Sequence, residues 1–74
     1  MNNDHLVNMC NQIGTFFESM TDRDQALEDF AKHIKNFWAP SMRHQILSQI
    51  EQGEATELSQ IATDALAKHR ALLQ

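Results

Sequence analysis

The sequence predicts an all-α domain, a compact bundle of four short helices. Three observations carry that expectation. Two glycines and one proline among 74 residues leave too few turn formers for a many-stranded β design. Apolar residues recur at three- and four-residue spacing through four successive segments, and the polar breaks between them carry helix caps. Apolar residues make up 42% and charged residues 22% of the chain, the balance of a folded protein rather than a disordered one. This length suits a single helical domain over residues 1–74. A domain so small builds only a marginal core. With one cysteine it has no intrachain disulfide to help, which makes a partner chain the favoured source of further stability.

The first helix is expected over residues 4–19, with Asn3 as its N-cap. Leu6, Met9, Cys10, Ile13, Phe16, Phe17 and Met20, with Val7 at the far edge, spread over about half of its circumference at roughly 100° per residue. A surface helix needs an apolar stripe of only about 100°. Either this helix packs both on its own domain and on something else, or it is central in the bundle. Gly14 costs about 1 kcal/mol relative to alanine inside a helix, and is expected where another backbone approaches closely. Thr21 to Asp24 form a polar turn, in which Asp22 and Gln25 approximate a capping box.

The second helix is expected over residues 23–38, with Leu27, Phe30, Ala31, Ile34, Phe37 and Trp38 on its apolar side. It ends there because Ala39 precedes a proline and is pushed out of the α region. Pro40 suits the first turn of a third helix, residues 40–52, which carries Met42, Ile46, Leu47 and Ile50 and stops at Gly53. The fourth helix, residues 57–72, starts from Thr56 or Ser59 and turns Leu58, Ile61, Ala62, Ala65, Leu66, Leu72 and Leu73 inward.

No catalytic constellation stands out. Two glycines cannot make a phosphate loop, and His5, His33, His44 and His69 include neither an i,i+4 pair nor an HExxH pattern. His69 falls in the apolar stripe of the last helix and is expected to be half-buried and hydrogen-bonded. Cys10 lies on an apolar face with no activating base nearby and reads as a small hydrophobe. Glu28 and Asp29 are placed to pair with Lys32. The net charge of -4 argues against nucleic acid as a partner. Lys32, Lys35 and Arg43 nevertheless cluster in a stretch without acids, which reads either as a solvated face or as a docking edge for an acidic surface. No apolar run approaches the ~20 residues of a membrane span. The opening Met1-Asn2-Asn3-Asp4 lacks the features of a secretory signal, so a cytoplasmic location is expected. Ala31 to Arg43 is the densest region, and holds the only Trp and Pro at a helix junction. Aromatic and Arg residues of that kind dominate interface hot spots.

Two blocks carry a family resemblance. Leu6-Val7-Asn8-Met9, Asn11-Gln12-Ile13-Gly14 and Phe16-Phe17 resemble the start of the delta subunit of NAD-dependent formate dehydrogenases. Ala31-x-His33-Ile34-x-x-Phe37-Trp38-x-Pro40-x-Met42-Arg43 resembles that family's most recognisable stretch. The two stand in the family's order, and the similarity covers residues from about 5 to 50, more weakly to about 66. Ala39, where the family often has an acid, and Ser41, where it often has Arg, depart from the pattern. So do Cys10, in place of a small residue, and Thr21-Asp22, which lacks the turn proline.

The resemblance implies a non-catalytic accessory subunit that docks on the catalytic (alpha) subunit and supports its assembly or stability. The holoenzyme oxidises formate to CO₂ and passes electrons to NAD⁺, with a molybdenum or tungsten pterin, iron–sulfur clusters and flavin on other subunits. No cofactor is expected on this chain, because iron–sulfur clusters need several cysteines. The expected partner-binding residues are Gly14, Phe16, Phe17, His33, Phe37, Trp38, Met42 and Arg43. Trp38 and Phe37 would anchor the contact or the helix junction, Arg43 would pair with an acidic group, and Gly14 would permit close packing. The alternative is a free-standing helical adaptor or regulatory module, in one form a homodimer through the same apolar face.

Overall fold

The computed structural model describes residues 2–74, with side chains from residue 5 onward. Among the described residues the chain forms five helices and no strand: α1 (Asn2–Phe17), α2 (Arg23–Phe37), α3 (Pro40–Glu51), α4 (Gln60–Lys68) and α5 (Arg70–Leu73). The all-α class is as expected, and the boundaries differ at two places. The first helix starts earlier than residue 4 and already includes Asn3, which is therefore not its N-cap. It stops at Phe17, where the Ser19 hydroxyl donates to the Phe16 carbonyl and the Met20 N–H donates to Phe17. The expected fourth helix is shorter at its start and broken near its end. Its N-cap is Ser59, whose Oγ accepts the Ala62 N–H at 3.4 Å. His69 leaves the helical region at φ -110° and ψ 30°, and a separate single turn, α5, follows. That break sends Leu73 fully into the core and leaves Leu72 at the surface, whereas an unbroken helix was expected to turn both inward.

The local signals behave as their chemistry dictates. Asp22 caps α2 by accepting the Gln25 N–H at 3.2 Å. The box is only half formed, because the Gln25 side chain donates to Asp29 instead. Ala39 is extended at φ -64° and ψ 150°, and Pro40 opens α3. At the other end of α3, Gly53 adopts φ 74°. The Gly53 N–H donates to Ile50 and the Glu54 N–H to Gln49, at 3.1 and 2.8 Å. This pair of bonds is the Schellman arrangement, which needs a residue comfortable in the left-handed region.

Helix α2 packs against each of the other four helices. Phe30, Ala31 and Ile34 are fully buried along it, facing Ile61, Ala62, Ala65 and Leu66 of α4 and Leu73 of α5. The small side chains Ala26, Ala31, Ala62 and Ala65 let these backbones approach closely. The broad apolar arc of α1 has an explanation inside the domain, since α1 packs against α2, α3 and α4. Leu6, Val7 and Cys10 are buried there, and Met9, Ile13 and Phe17 lean on the core from its margin. One edge of the arc, at Phe16, remains uncovered.

Candidate functional site

The eight expected partner-binding residues divide into two groups. Phe16, Phe17, His33 and Phe37 come together on one face, built by the end of α1 and the second half of α2. Phe17 rests on core Phe30 at 6.2 Å between ring centroids. Phe16 meets Phe17 edge to face at 5.1 Å and 87°. On the α2 side, His33 lies 6.2 Å from Phe17 and stacks obliquely on Phe37 at 4.8 Å. The rings form a continuous row that starts in the core and ends in solvent at both tips. Phe16 and Phe37 are each 74% exposed. Between Ile13, Phe16, Phe17 and His33 the row encloses an open groove of about 220 Å³.

The second group is spent inside the fold. Trp38 is 6% exposed and belongs to the core cluster, and Met42 packs against that cluster from its margin. Arg43, 8% exposed, does not pair with an acidic group. Its Nε donates to the Leu73 carbonyl at 3.2 Å, and its Nη1 donates to Trp38 at 3.2 Å and Lys35 at 3.3 Å. The guanidinium thus caps the end of α2 and ties down α5. Carbonyls in the last turn of a helix have no partner of their own, and a cation there also suits the helix dipole. Gly14 does permit close packing, but within the domain and against side chains rather than another backbone. A Cβ there would stand 2.8 Å from Ile61 Cγ2, 3.2 Å from Ser59 Oγ and 3.5 Å from Phe30 Cε2.

Asn11 was missed as a structural residue. Its Nδ2 donates to the Glu57 carbonyl at 3.0 Å, and its Oδ1 accepts the Ser59 N–H at 2.7 Å. This two-point staple holds the segment before α4 against α1. The available signal was position: Val7, Asn11 and Gly14 share one face of α1, and a polar residue between a buried valine and a helical glycine must find partners there. A hollow of about 390 Å³ opens beside it, lined by Val7, Asn8, Asn11 and Glu57. The Asn11 amide is already committed to the staple, so this hollow offers a ligand little.

Electrostatics do not build a docking edge. Lys32 pairs at 2.8 Å with Glu28 one turn earlier. That hydrogen bond and charge hold the Glu28 carboxyl below, and the Lys32 ammonium above, their ordinary pKa values. Arg23 pairs with Asp64, Lys68 with Asp24, and Arg70 with Glu51. In the acid-free stretch, Lys32 is therefore occupied by an acid and Arg43 by backbone carbonyls, and neither Lys35 nor Arg43 forms an ion pair among the described residues. Burial pushes the Cys10 thiol up to about 12, so its thiolate, the form that attacks or ligates, is scarce near neutral pH. His69 is half-buried as expected but not fully hydrogen-bonded, since its Nε2 is enclosed without a partner. Among the described residues no group of three or more His, Cys, Asp or Glu is placed to hold a metal ion. Nor is any helix there long and apolar enough to cross a membrane.

Residues 5–66 match the model of one protein family, described as the NADH-dependent formate dehydrogenase delta subunit FdsD. The match takes in both halves of the aromatic row, the Asn11 staple and Arg43 itself, and ends before the Leu73 carbonyl that Arg43 holds. No curated protein and no solved structure is significantly similar to the chain.

Proposed function

We propose, from the premise that this chain belongs to the NADH-dependent formate dehydrogenase delta-subunit family, that it docks on the catalytic (alpha) subunit through its aromatic face and supports that subunit's assembly or stability. The observation that carries the reading is the row from Phe17 to Phe16 and Phe37, whose tips lie in water beside a marginal core. Large exposed apolar side chains gathered on one face mark interaction sites on small proteins, and buried aromatic anchors supply most of the energy of such contacts.

The accessory role assigns formate oxidation and electron transfer to NAD⁺ to the other subunits, which would carry the molybdenum or tungsten pterin, the iron–sulfur clusters and the flavin. The residues of this chain do not fit an iron–sulfur cluster, because its one cysteine is buried with a raised pKa and a cluster takes several thiolates. The complex would work in the cytoplasm, without nucleic acid or membrane as partners.

Affinity purification of a tagged chain from its native cells tests the proposal. The catalytic subunit should co-purify with the wild type and be lost from the double variant Phe16→Ser/Phe37→Ser, with the helical content of the variant unchanged by circular dichroism. Recovery of no formate dehydrogenase subunit with the wild type defeats the reading. A stable homodimer of the isolated chain in sedimentation, abolished by the same double variant, would favour the free-standing adaptor instead.

A further inference from the structure

We infer that the groove between Ile13, Phe16, Phe17 and His33 is a socket for one large apolar side chain of the larger subunit, so that docking is anchored at the Phe16 end of the aromatic row rather than spread evenly along it. The inference rests on the docking reading above and adds to it the chemistry and the place of the anchor.

Size limits the occupant first. A cavity of ~150 Å³ lined by apolar side chains holds a benzene ring, whereas pockets for drug-sized ligands begin near ~300 Å³. At about 220 Å³ the groove has room for one leucine, methionine or phenylalanine side chain. Chemistry limits it next. Ile13, Phe16 and Phe17 offer no hydrogen-bonding group, and with His33 included the lining of the groove is still almost wholly apolar. A charged or strongly hydrated side chain would shed water there without an equivalent partner. An apolar one would meet the edges and faces of three aromatic rings, a geometry that favours rings and thioethers alike.

The occupant must also come from somewhere. In a second copy, the large apolar side chains exposed among the described residues are Phe16, Phe37 and Leu72, and Phe16 is itself a wall of the groove. Each copy also carries a net charge of -4. A larger subunit of the complex that the family forms part of is free of both limits, and is the occupant proposed here.

Phe16 and Phe37 make a matched pair for the test, because both are 74% exposed and only Phe16 lines the groove. Each is replaced by alanine in the tagged chain, and recovery of the catalytic subunit from native cells is quantified beside a thermal melt of the purified variant. Phe16→Ala should cut recovery about tenfold or more, as loss of an anchoring contact does, and Phe37→Ala less than threefold. A third variant, Ile13→Trp, fills the groove and leaves both exposed rings in place, and it should reproduce the Phe16→Ala loss. Should it fail to fold, the alanine pair decides by itself. Equal losses from the two alanine variants overturn the socket and leave docking by this face intact. Full recovery with both overturns the docking face as well.

Discussion

Arg43 separates two accounts of the same residue, and its replacement decides between them. In the sequence it reads as an interface cation. In the structure it holds three backbone carbonyls, those of Lys35, Trp38 and Leu73. Arg43→Ala removes all three bonds and leaves enclosed carbonyls at the end of α2 and in α5. A hydrogen bond from a charged donor is worth about 1.5–3 kcal/mol. The distances here, 3.2–3.3 Å, lie beyond the usual ~2.9–3.0 Å, so about 1 kcal/mol each and roughly 3 kcal/mol in all is the appropriate size. A domain of this length has only about 4–11 kcal/mol to lose. With an unfolding entropy near 2.1 cal/mol/K per residue, that loss lowers Tm by about 15–20 °C. Arg43→Lys, which reaches carbonyls with a single ammonium, should fall between the alanine variant and the wild type. Thermal melts followed by circular dichroism give the answer. An Arg43→Ala protein that melts within about 5 °C of the wild type and yet loses its partner would refute the cap and restore the interface cation.

Four further outcomes follow from the same geometry. Gly14→Ala gains about 1 kcal/mol of helix propensity but sets a methyl 2.8 Å from Ile61 Cγ2; overpacking of that kind costs about 1–3 kcal/mol, so Tm should fall by several degrees, and a rise would show that α4 yields freely. Asn11→Ala should cost about 1–2 kcal/mol and speed hydrogen exchange at the Ser59 amide, which the Asn11 side chain now holds; unchanged protection there would sink the staple. Cys10, raised from 9.0 to about 12 by burial, favours the folded state below pH 9, and that contribution drains away as pH climbs from 9 towards 12 because the unfolded thiol ionises first; urea melts across this window should show a shallower alkaline decline for Cys10→Ala than for wild type. Because Lys32, Arg23, Lys68 and Arg70 are paired within the domain, co-purification with the catalytic subunit should survive ~0.5 M NaCl, where the Debye length is below ~5 Å; release at that salt would point to a charged interface.

Local chemistry was legible in the sequence, and the features that depend on distant residues were not. The Ala39-Pro40 boundary, the Asp22 cap and the Gly53 stop each follow from one or two residues and their backbone preferences. Thr56 and Ser59 are both sound caps, and the choice of Ser59 accompanies a staple made by Asn11, 48 residues earlier. Phe37 and Trp38 show the same limit at the candidate site. Phe37 follows Phe30 and Ile34 in helical phase and reads as core, yet it sits in the final turn with His33 as its ring neighbour. Trp38 leaves the helix at φ -93° and ψ 143°, and an extended residue no longer obeys the 3.6 period. Its burial therefore follows from the turn that Pro40 imposes, not from its place on a wheel.

How the domain distributes its side chains gives the docking face its meaning. Ala26, Ala31, Ala62 and Ala65 are four of the nine buried residues of α2 and α4, each at most 1% exposed. Alanine buries little area and loses no rotamer freedom, which suits a close approach of backbones but adds little hydrophobic stabilisation. Two of the four phenylalanines meanwhile stand in water. A chain under pressure only to be stable alone would bury those rings, at about 1.5–3 kcal/mol each. Arg43 shows the opposite assignment, a long cation drawn inward to finish two helix ends with no acidic partner. Polar closure inside and aromatic surface outside is the arrangement that the proposed docking calls for, with the remaining apolar burial left to a contact with another protein.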